Sequence, residues 1–186
     1  MRNFWERFNL STETRVLDVG GYKYNWTLVD AVPLLTIVNL TIQKEKGVTV
    51  VADGRYLPFQ DGAFDISYSN SVIEHLGSFT DQQAFASEIA RVGLRYYVQT
   101  PNKWFPVEPH LITPFIHYLP KSVQKQLLRN FTMWGLVTRP TNQQCENFLQ
   151  EVRLLDEREL RQLFPEAEIW HERVLGLTKS LIAVKI

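Results

Sequence analysis

Residues 50–76 carry the polar groups whose types and spacing are most informative about chemistry. A run of apolar residues ends at Asp53 and Gly54, and a second run, which begins at Phe64, ends in Ser69 and Asn70. Carboxylates, amides and hydroxyls at the carboxyl ends of buried parallel strands line the ligand crevice of an open sheet. The segment therefore predicts a binding site for a nucleoside-like ligand.

Two earlier segments end in residues of the same kind. Asp18 closes a short apolar run that is followed by the paired glycines Gly20 and Gly21, and Asn39 stands near the end of the apolar run at 34–40. Glycine allows the backbone to turn tightly and to approach a ligand closely. Polar residues that follow successive strands in this order favour one shared site.

The rest of the chain predicts the elements that position this site. Apolar runs and helical spacing indicate strands and helices in alternation. The predicted strands cover 15–19, 34–40, 48–53, 64–69, 96–101, 167–174 and 180–186, and the predicted helices cover 81–92, 121–131 and 156–164. This alternation predicts an α/β fold with a doubly wound, mostly parallel sheet, completed by an antiparallel pair around Gly176.

Composition limits the function classes. With 186 residues, 45% of them hydrophobic and 22% charged, the chain has the length and composition of one globular domain spanning 1–186. Zero formal net charge argues against a broad nucleic-acid binder. The single cysteine, Cys145, excludes an internal disulfide. No apolar run approaches a membrane span and no signal-peptide core is evident, so we expect a cytoplasmic protein with no membrane partner.

Residues 103–145 differ in composition from the sheet-forming segments. They carry five Lys or Arg residues against one carboxylate, Glu108, and they are rich in proline and aromatic residues. We interpret this stretch as a helical cap inserted after the fifth strand. Its aromatic residues either form the core of the cap or line a pocket: Trp104, Phe105, Phe115, Tyr118, Phe131 and Trp134.

Residues 15–102 resemble the class I S-adenosylmethionine-dependent methyltransferases. Val16–Gly20 (VLDVG) is similar to the first motif of that family. Asp53–Asp65 is similar to its middle motifs, most specifically in the run LPFQDGAFD that begins at Leu57. The resemblance implies S-adenosylmethionine as the cofactor and a seven-stranded, Rossmann-like sheet whose last strand is inserted beside its neighbour. It also implies a methyltransferase that acts on a small-molecule acceptor.

That cofactor requires particular groups from the predicted site. The ribose hydroxyls need a short polar side chain, which Asn39 offers, and the adenine amino group needs an acceptor, which Asp53 offers. The methionine ammonium and the sulfonium need carbonyls and small polar groups. We therefore expect eight residues to hold the cofactor: Asp18, Gly20, Gly21, Asn39, Asp53, Gly54, Ser69 and Asn70.

The first two motifs depart from the family pattern. Tyr22 and Tyr24 stand where further glycines are usual, and Asn39 replaces a carboxylate that would bind the ribose more strongly. These departures keep open a non-catalytic, cofactor-binding or scaffold protein on the same fold. A nicotinamide-dependent oxidoreductase is disfavoured because the phosphate-binding G-x-G-x-x-G run is missing and Asp53 is misplaced for that role.

The cap supplies the predicted catalytic residues. His110, supported by Glu108, is the predicted general base or acceptor-binding group, and a structural histidine between prolines is the alternative. The basic excess of the cap favours an anionic or sugar-like acceptor, such as a sugar phosphate or carboxylate, although solvated surface charge explains it equally well.

Glu74 and His75 raise the question of a metal. They resemble the end of a Glu-x-x-Glu-His metal motif found in some quinone-precursor and RNA-end methyltransferases, but Ser71 stands where the first glutamate would be. A hydrogen bond within the fold is the favoured role for His75. We therefore expect no metal.

Overall fold

A seven-stranded sheet forms the centre of the computed structural model, which describes residues 2–27, 32–42 and 49–186. Its strands are β1 (Arg15–Val19), β2 (Leu34–Asn39), β3 (Val50–Val51), β4 (Phe64–Asn70), β5 (Gly93–Pro101), β8 (Glu168–Val174) and β9 (Leu177–Lys185). β6 (Val107–Glu108) and β7 (Thr113–Pro114) form a separate antiparallel pair. In the large sheet the order is β3, β2, β1, β4, β5, β9, β8. β1 to β5 pair in parallel, and β9 runs antiparallel to both β5 and β8. The predicted fold, with its inserted last strand, is confirmed.

Helices cover both faces of the sheet and build the region after β5. They are α1 (Arg2–Phe8), α2 (Lys23–Trp26), α3 (Phe79–Val92), α4 (Lys121–Phe131), α5 (Met133–Thr138), α6 (Asn142–Glu151) and α7 (Glu157–Leu163). Short 3₁₀ turns span Ile73–Leu76 and Ile116–Tyr118. Among the described residues, no helix is long and apolar enough to cross a membrane.

Local capping explains where the predicted helices begin. The Ser78 side chain accepts a hydrogen bond from the Asp81 backbone N–H at the start of α3. At the start of α7, Asp156 and Glu159 form a capping box, which satisfies backbone donors that a helix leaves unpaired. α6 was not predicted, and its cap is a box of Thr141 with Gln144.

The strand predicted at 48–53 is much shorter in the structure. Only Val50–Val51 pair with β2, while Val48 lies outside the described residues. The chain leaves the sheet at Asp53 because it forms a turn there. The Asp53 side chain accepts from the Arg55 N–H at 2.9 Å, and the Asp53 carbonyl accepts from the Tyr56 N–H at 2.9 Å. Such side chain-to-backbone bonds favour a turn over a strand.

Two hydrophobic clusters hold the sheet between its helices. On one face α3 and α7 bury residues such as Phe85, Ile89 and Leu160 against β1 and β5. On the other face Trp26 and the aromatic residues of α1 pack against Tyr68. The sheet is therefore buried on both sides, as the near-continuous apolar runs of its central strands require.

The region after β5 has an aliphatic core of its own. Leu111, Ile116, Leu128, Cys145 and Leu149 form this core. Most of the aromatic residues that the sequence offered for it are instead exposed: Trp104, Phe115, Tyr118 and Phe131. The predicted cap of 103–145 contains α4 and α5, and α6 continues six residues beyond its boundary to Glu151.

A buried glutamine fastens the turn at 73–76 to the far end of the cap. The Gln82 side-chain amide donates to the carbonyls of Ile73 and Arg153, both at 3.0 Å, and its oxygen accepts from Arg153 Nη1 at 2.7 Å. The Arg153 N–H in turn donates to the Glu74 carbonyl at 2.7 Å. Gln82 is fully buried, so its side-chain amide depends on these partners rather than on solvent.

Replacing Gln82 by alanine should destabilise the protein. The change leaves the Ile73 and Arg153 carbonyls without this donor, and we expect the free energy of unfolding to fall by roughly 2–3 kcal/mol. The neighbouring Gln83→Ala, on the exposed side of the same helix, is the matched control and should stay within about 0.5 kcal/mol of the parent. Equal effects of the two changes in urea unfolding would contradict this role.

Candidate functional site

A cleft opens where the chain leaves the middle of the sheet in opposite directions. β2 lies on one side of β1 and β4 on the other, so the loops at their carboxyl ends diverge. Two cavities, of about 410 and 400 Å³, occupy this cleft. They adjoin each other because Gly20, Asn39 and Val72 line both.

Seven of the eight predicted cofactor residues line these cavities. The larger one, called the polar cavity below, is bordered by Asp18, Gly20, Gly21, Asn39 and Asn70 together with Tyr22, Asn25, Tyr68, Ser71, Val72 and His75. The other, called the apolar cavity, is bordered by Gly20, Asn39, Asp53 and Gly54 together with Val19, Val38, Leu40, Thr41, Ala52, Val72, Leu76 and Phe85.

The eighth predicted residue, Ser69, faces the interior of the sheet. It is fully buried, and its hydroxyl donates to the Val19 carbonyl at 3.1 Å. This bond ties β4 to the end of β1. Ser69 therefore holds the walls of the cleft together and borders neither cavity.

The paired glycines form the tight turn that the sequence predicts after β1. Gly20 has a φ of +81°, a left-handed conformation that side chains rarely adopt. A Cβ added to Gly21 would lie 1.8 Å from Asp18 Oδ2, so the Asp18 carboxyl group, which Trp26 holds, would have to move. The two glycines thus border the polar cavity with backbone atoms only.

Asp18 is a buried carboxyl group beside this turn. Its Oδ2 accepts a 2.7 Å hydrogen bond from the Trp26 indole N–H, while Oδ1 has no hydrogen-bond partner among the described residues. Burial raises the pKa of Asp18 to about 7, and the Trp26 bond opposes that shift only in part. The group therefore offers an acceptor to a ligand in the polar cavity.

Asn39 and Asp53 are both engaged within the protein. The Asn39 amide donates to the Gly21 carbonyl at 3.0 Å and so braces the glycine turn. The Arg55 guanidinium contacts both oxygens of Asp53 and also reaches Asp81 at 2.6 Å. The hydrogen bonds from Arg55 hold the pKa of Asp53 below its usual range, so this carboxylate stays ionised at the rim of the apolar cavity.

A second group of ionisable residues lies beside the polar cavity. Glu108 Oε1 lies 2.6 Å from His110 Nδ1, and Glu108 Oε2 accepts from the Leu111 N–H, also at 2.6 Å. His110 Nε2 is 3.2 Å from His75 Nε2. The structure thus brings the two predicted catalytic residues together, and it connects them through His75 to the cavity of the glycine turn.

Burial and charge act in opposite directions on this group. Burial lowers the pKa of His110, but the hydrogen bond and the charge of Glu108 outweigh it, and the net shift is upward. Glu74, adjacent to His75 and fully buried, accepts from the Thr100 hydroxyl at 3.1 Å. Burial raises the pKa of Glu74 to about 7.

Three residues of this site are not among the site residues predicted from the sequence. Trp26 is one of them, and the available signal was an indole N–H donor eight residues after Asp18. His75 was assigned a hydrogen bond within the fold, and it also borders the polar cavity. Glu74 lies beside it, and a carboxylate inside an otherwise apolar stretch was the available signal for it.

Solved structures show which class of protein has this fold. Magnesium protoporphyrin IX methyltransferase from Synechocystis PCC 6803, solved with S-adenosylhomocysteine, aligns with 99% of this chain and 80% of its own at a TM-score of 0.60 and 14% identity. An S-adenosylmethionine-dependent methyltransferase from Methanosarcina mazei aligns over 97% and 94% at 0.59 and 14%. A candidate Zn-dependent alcohol dehydrogenase from Rhodobacter sphaeroides aligns over 96% and 86% at 0.64 and 11%. At such identities these alignments show the fold alone, which is that of the class I methyltransferases.

A family model matches the segment that lines the cleft. Residues 13–94 match a family model described as a methyltransferase domain, from the residues before β1 to the start of β5. No curated protein shows a significant sequence match to the chain. The match and the fold together confirm the predicted resemblance to class I S-adenosylmethionine-dependent methyltransferases, and a methyltransferase domain implies that cofactor.

The buried Asp18 predicts a pH dependence of stability. Its pKa is near 7 in the folded protein and near 4 when unfolded, so the native state binds the proton more tightly. Between these values, stability from this group is lost as the pH rises, at about 1.4 kcal/mol per pH unit. In Asp18→Asn, which keeps the oxygen facing Trp26, the fall from pH 4 to pH 7 should be smaller by a few kcal/mol. Identical pH profiles in chemical denaturation would contradict this placement.

Proposed function

We propose that this protein transfers a methyl group from S-adenosylmethionine to a small-molecule acceptor bound between the cleft and the cap. One observation carries the proposal. His75 borders the polar cavity, and its Nε2 lies 3.2 Å from that of His110, which is paired with Glu108. The cleft is large enough for the cofactor and adjoins the two imidazoles, and methyl transfer requires the donor and the acceptor to be held next to each other.

The two cavities suit the two halves of the cofactor. The apolar cavity has Phe85 and Leu76 on its walls and the Asp53 carboxylate at its rim, a setting for a flat base with an exocyclic amino group. The polar cavity has Asp18 and Asn70 near the glycine turn, a setting for the methionine part. When bound, S-adenosylmethionine supplies a methyl group that a nucleophile can displace from its sulfonium.

His110 and Glu108 are the proposed catalytic pair. A carboxylate can only accept from Nδ1, so Glu108 favours the His110 tautomer that has its proton on Nδ1 and a lone pair on Nε2. That lone pair lies on the side of His75 and the polar cavity. In the proposed mechanism it takes the proton of the acceptor as the methyl group arrives, and Glu108 stabilises the resulting imidazolium.

The charge of the cap supports an anionic or sugar-like acceptor. Lys103 and Lys121 border a cavity of about 190 Å³ that also reaches Glu108 and His117. The Lys121 ammonium donates to the Leu149 carbonyl at 2.7 Å, so its charge is held at this wall. A phosphate or carboxylate group on the acceptor would meet favourable potential there.

Cofactor binding should stabilise the native protein. A hundredfold excess of S-adenosylhomocysteine over its Kd adds about 2.7 kcal/mol to the free energy of unfolding, which raises the Tm by roughly 5–10 °C in a chain of this length. Gly21→Ala, whose Cβ would collide with the Asp18 carboxylate, should show no such increase. Thermal melts with and without ligand check both, and no shift in the parent at millimolar ligand would contradict the proposal.

Loss of His110 should separate binding from turnover. His110→Asn should keep the S-adenosylhomocysteine-induced rise in Tm and lose methyl transfer by about 10²–10⁴-fold, because only proton removal is affected. The readout is the methylated small molecule formed in cells that express the protein, compared by mass spectrometry. His171→Asn, a change of an exposed histidine on β8, is the matched control and should retain the product.

Two outcomes would count against the catalytic proposal. Undiminished product with His110→Asn would remove His110 and Glu108 from the chemistry. Cofactor binding with no methylated product from the parent protein would instead favour the non-catalytic alternative, which the altered first motif at Tyr22 and Tyr24 suggests.

A further inference from the structure

Three side chains from two distant parts of the chain converge beside the cleft. Glu74 and His75 lie on the 3₁₀ turn after β4, and His110 comes from the cap. One carboxylate oxygen and one imidazole nitrogen from each histidine all lie within 4.8 Å of one another. We call Glu74, His75 and His110 the His–Glu cluster.

Glu74 contributes a group that the protein itself does not satisfy. It is fully buried; one oxygen accepts from the Thr100 hydroxyl, and the other has no hydrogen-bond partner among the described residues. A carboxylate withdrawn from water and left half unpaired carries a large desolvation cost. A cation placed between Glu74 and the two imidazoles would remove that cost.

The two imidazoles are arranged as ligands are. Their Nε2 atoms face each other at 3.2 Å, with the rings nearly perpendicular at 84°. Glu108 holds Nδ1 of His110 at 2.6 Å, and Glu108 is itself fixed by the Leu111 N–H. A carboxylate behind a histidine in this way sets its tautomer and leaves Nε2 free to coordinate, which is the usual outer support of a metal-binding histidine.

From this geometry we propose that the His–Glu cluster binds one divalent transition-metal ion of the zinc type. Two imidazoles and one carboxylate suit Zn²⁺ and its neighbours, whereas Mg²⁺ prefers oxygen ligands. Ligands 2.0–2.2 Å from a tetrahedral ion lie roughly 3.3–3.6 Å apart, so small side-chain rotations would close the site. His75 is exposed, which gives its side chain room for such a rotation.

The site would leave one position open toward the polar cavity, since His75 borders that cavity as well. The role of this ion in methyl transfer rests on the proposed function. An ion bound there would use the His110 lone pair in coordination, and it would lower the pKa of an acceptor hydroxyl so that the proton could pass to water instead of to His110. We expected no metal because Ser71 stands where the first glutamate of the metal motif would be. In the structure, His110 from the cap offers a ligand in place of that glutamate.

The test is metal binding by the full-length protein, independent of methyl transfer. Protein stripped with a chelator is dialysed against ZnCl₂, with MgCl₂ as the comparison ion, and the bound metal and the Tm are measured. We expect one Zn²⁺ per chain, a raised Tm and no stoichiometric Mg²⁺. Co²⁺ should give the absorption of a low-symmetry site with nitrogen and oxygen ligands.

Variants decide whether the ion sits at the His–Glu cluster. His75→Asn and Glu74→Gln should weaken Zn²⁺ binding at least as much as the 10–100-fold expected for the supporting change Glu108→Gln. His171→Asn, on an exposed strand, should not change it. Absence of stoichiometric Zn²⁺, or equal affinity in the parent, His75→Asn and Glu74→Gln, would overturn the proposal.

Melts with S-adenosylhomocysteine on the same samples separate the two proposals. Stabilisation by the cofactor product without Zn²⁺ binding leaves the proposed function standing and removes the metal site. Zn²⁺ binding at the cluster without any effect of the cofactor product supports the metal site and removes the cofactor.

Discussion

The pairing of β1 with β4 at the centre of the sheet is the constraint on which the rest of the structure depends. Leu17 pairs with Ser67 and Asp18 with Tyr68, so the two strands end side by side at the same edge. Because β2 continues on the other side of β1, the loops after β1 and β4 diverge and leave a cleft. The glycine turn, Asn70 and His75 all reach that cleft as a consequence of this one register.

The turn after β4 joins the sheet to the cap. It carries Glu74 and His75, and it is held in place by Gln82 from α3 and by Arg153 from the end of the cap. The cap returns His110 to the same point. The proposed cofactor cleft and the proposed acceptor side thus share a wall.

Much of the sheet and of the cleft could be predicted from local signals. The apolar runs that end at Val19 and Asn70 are strands, and helices bury them on both faces of the sheet. α4 spans the predicted residues from Lys121 to Phe131. Seven predicted cofactor residues border the cavities, because the end of an apolar run in the sequence locates the end of a strand and with it the edge of the cleft. Ser69 differs, since the alternation of side chains along β4 points it inward, a direction that the register with β1 decides.

Other features depend on contacts that no local pattern encodes. The approach of His75 to His110 joins residues 35 positions apart and follows from the path of the whole cap. The cap core is aliphatic rather than aromatic because α4 and α6 turn Leu128 and Leu149 inward, while Phe131 is left on the surface. In α6 only Cys145, Phe148 and Leu149 are apolar, a helical period too short to predict the element by itself.

A crystal structure of the protein with S-adenosylhomocysteine tests the central claim most directly. We expect the adenine ring against Phe85 in the apolar cavity, the methionine part beside the turn at Gly20 and Gly21, and the sulfur turned toward His75 and His110. A ligand bound outside the cleft, or a sulfur atom facing away from His75, would contradict it.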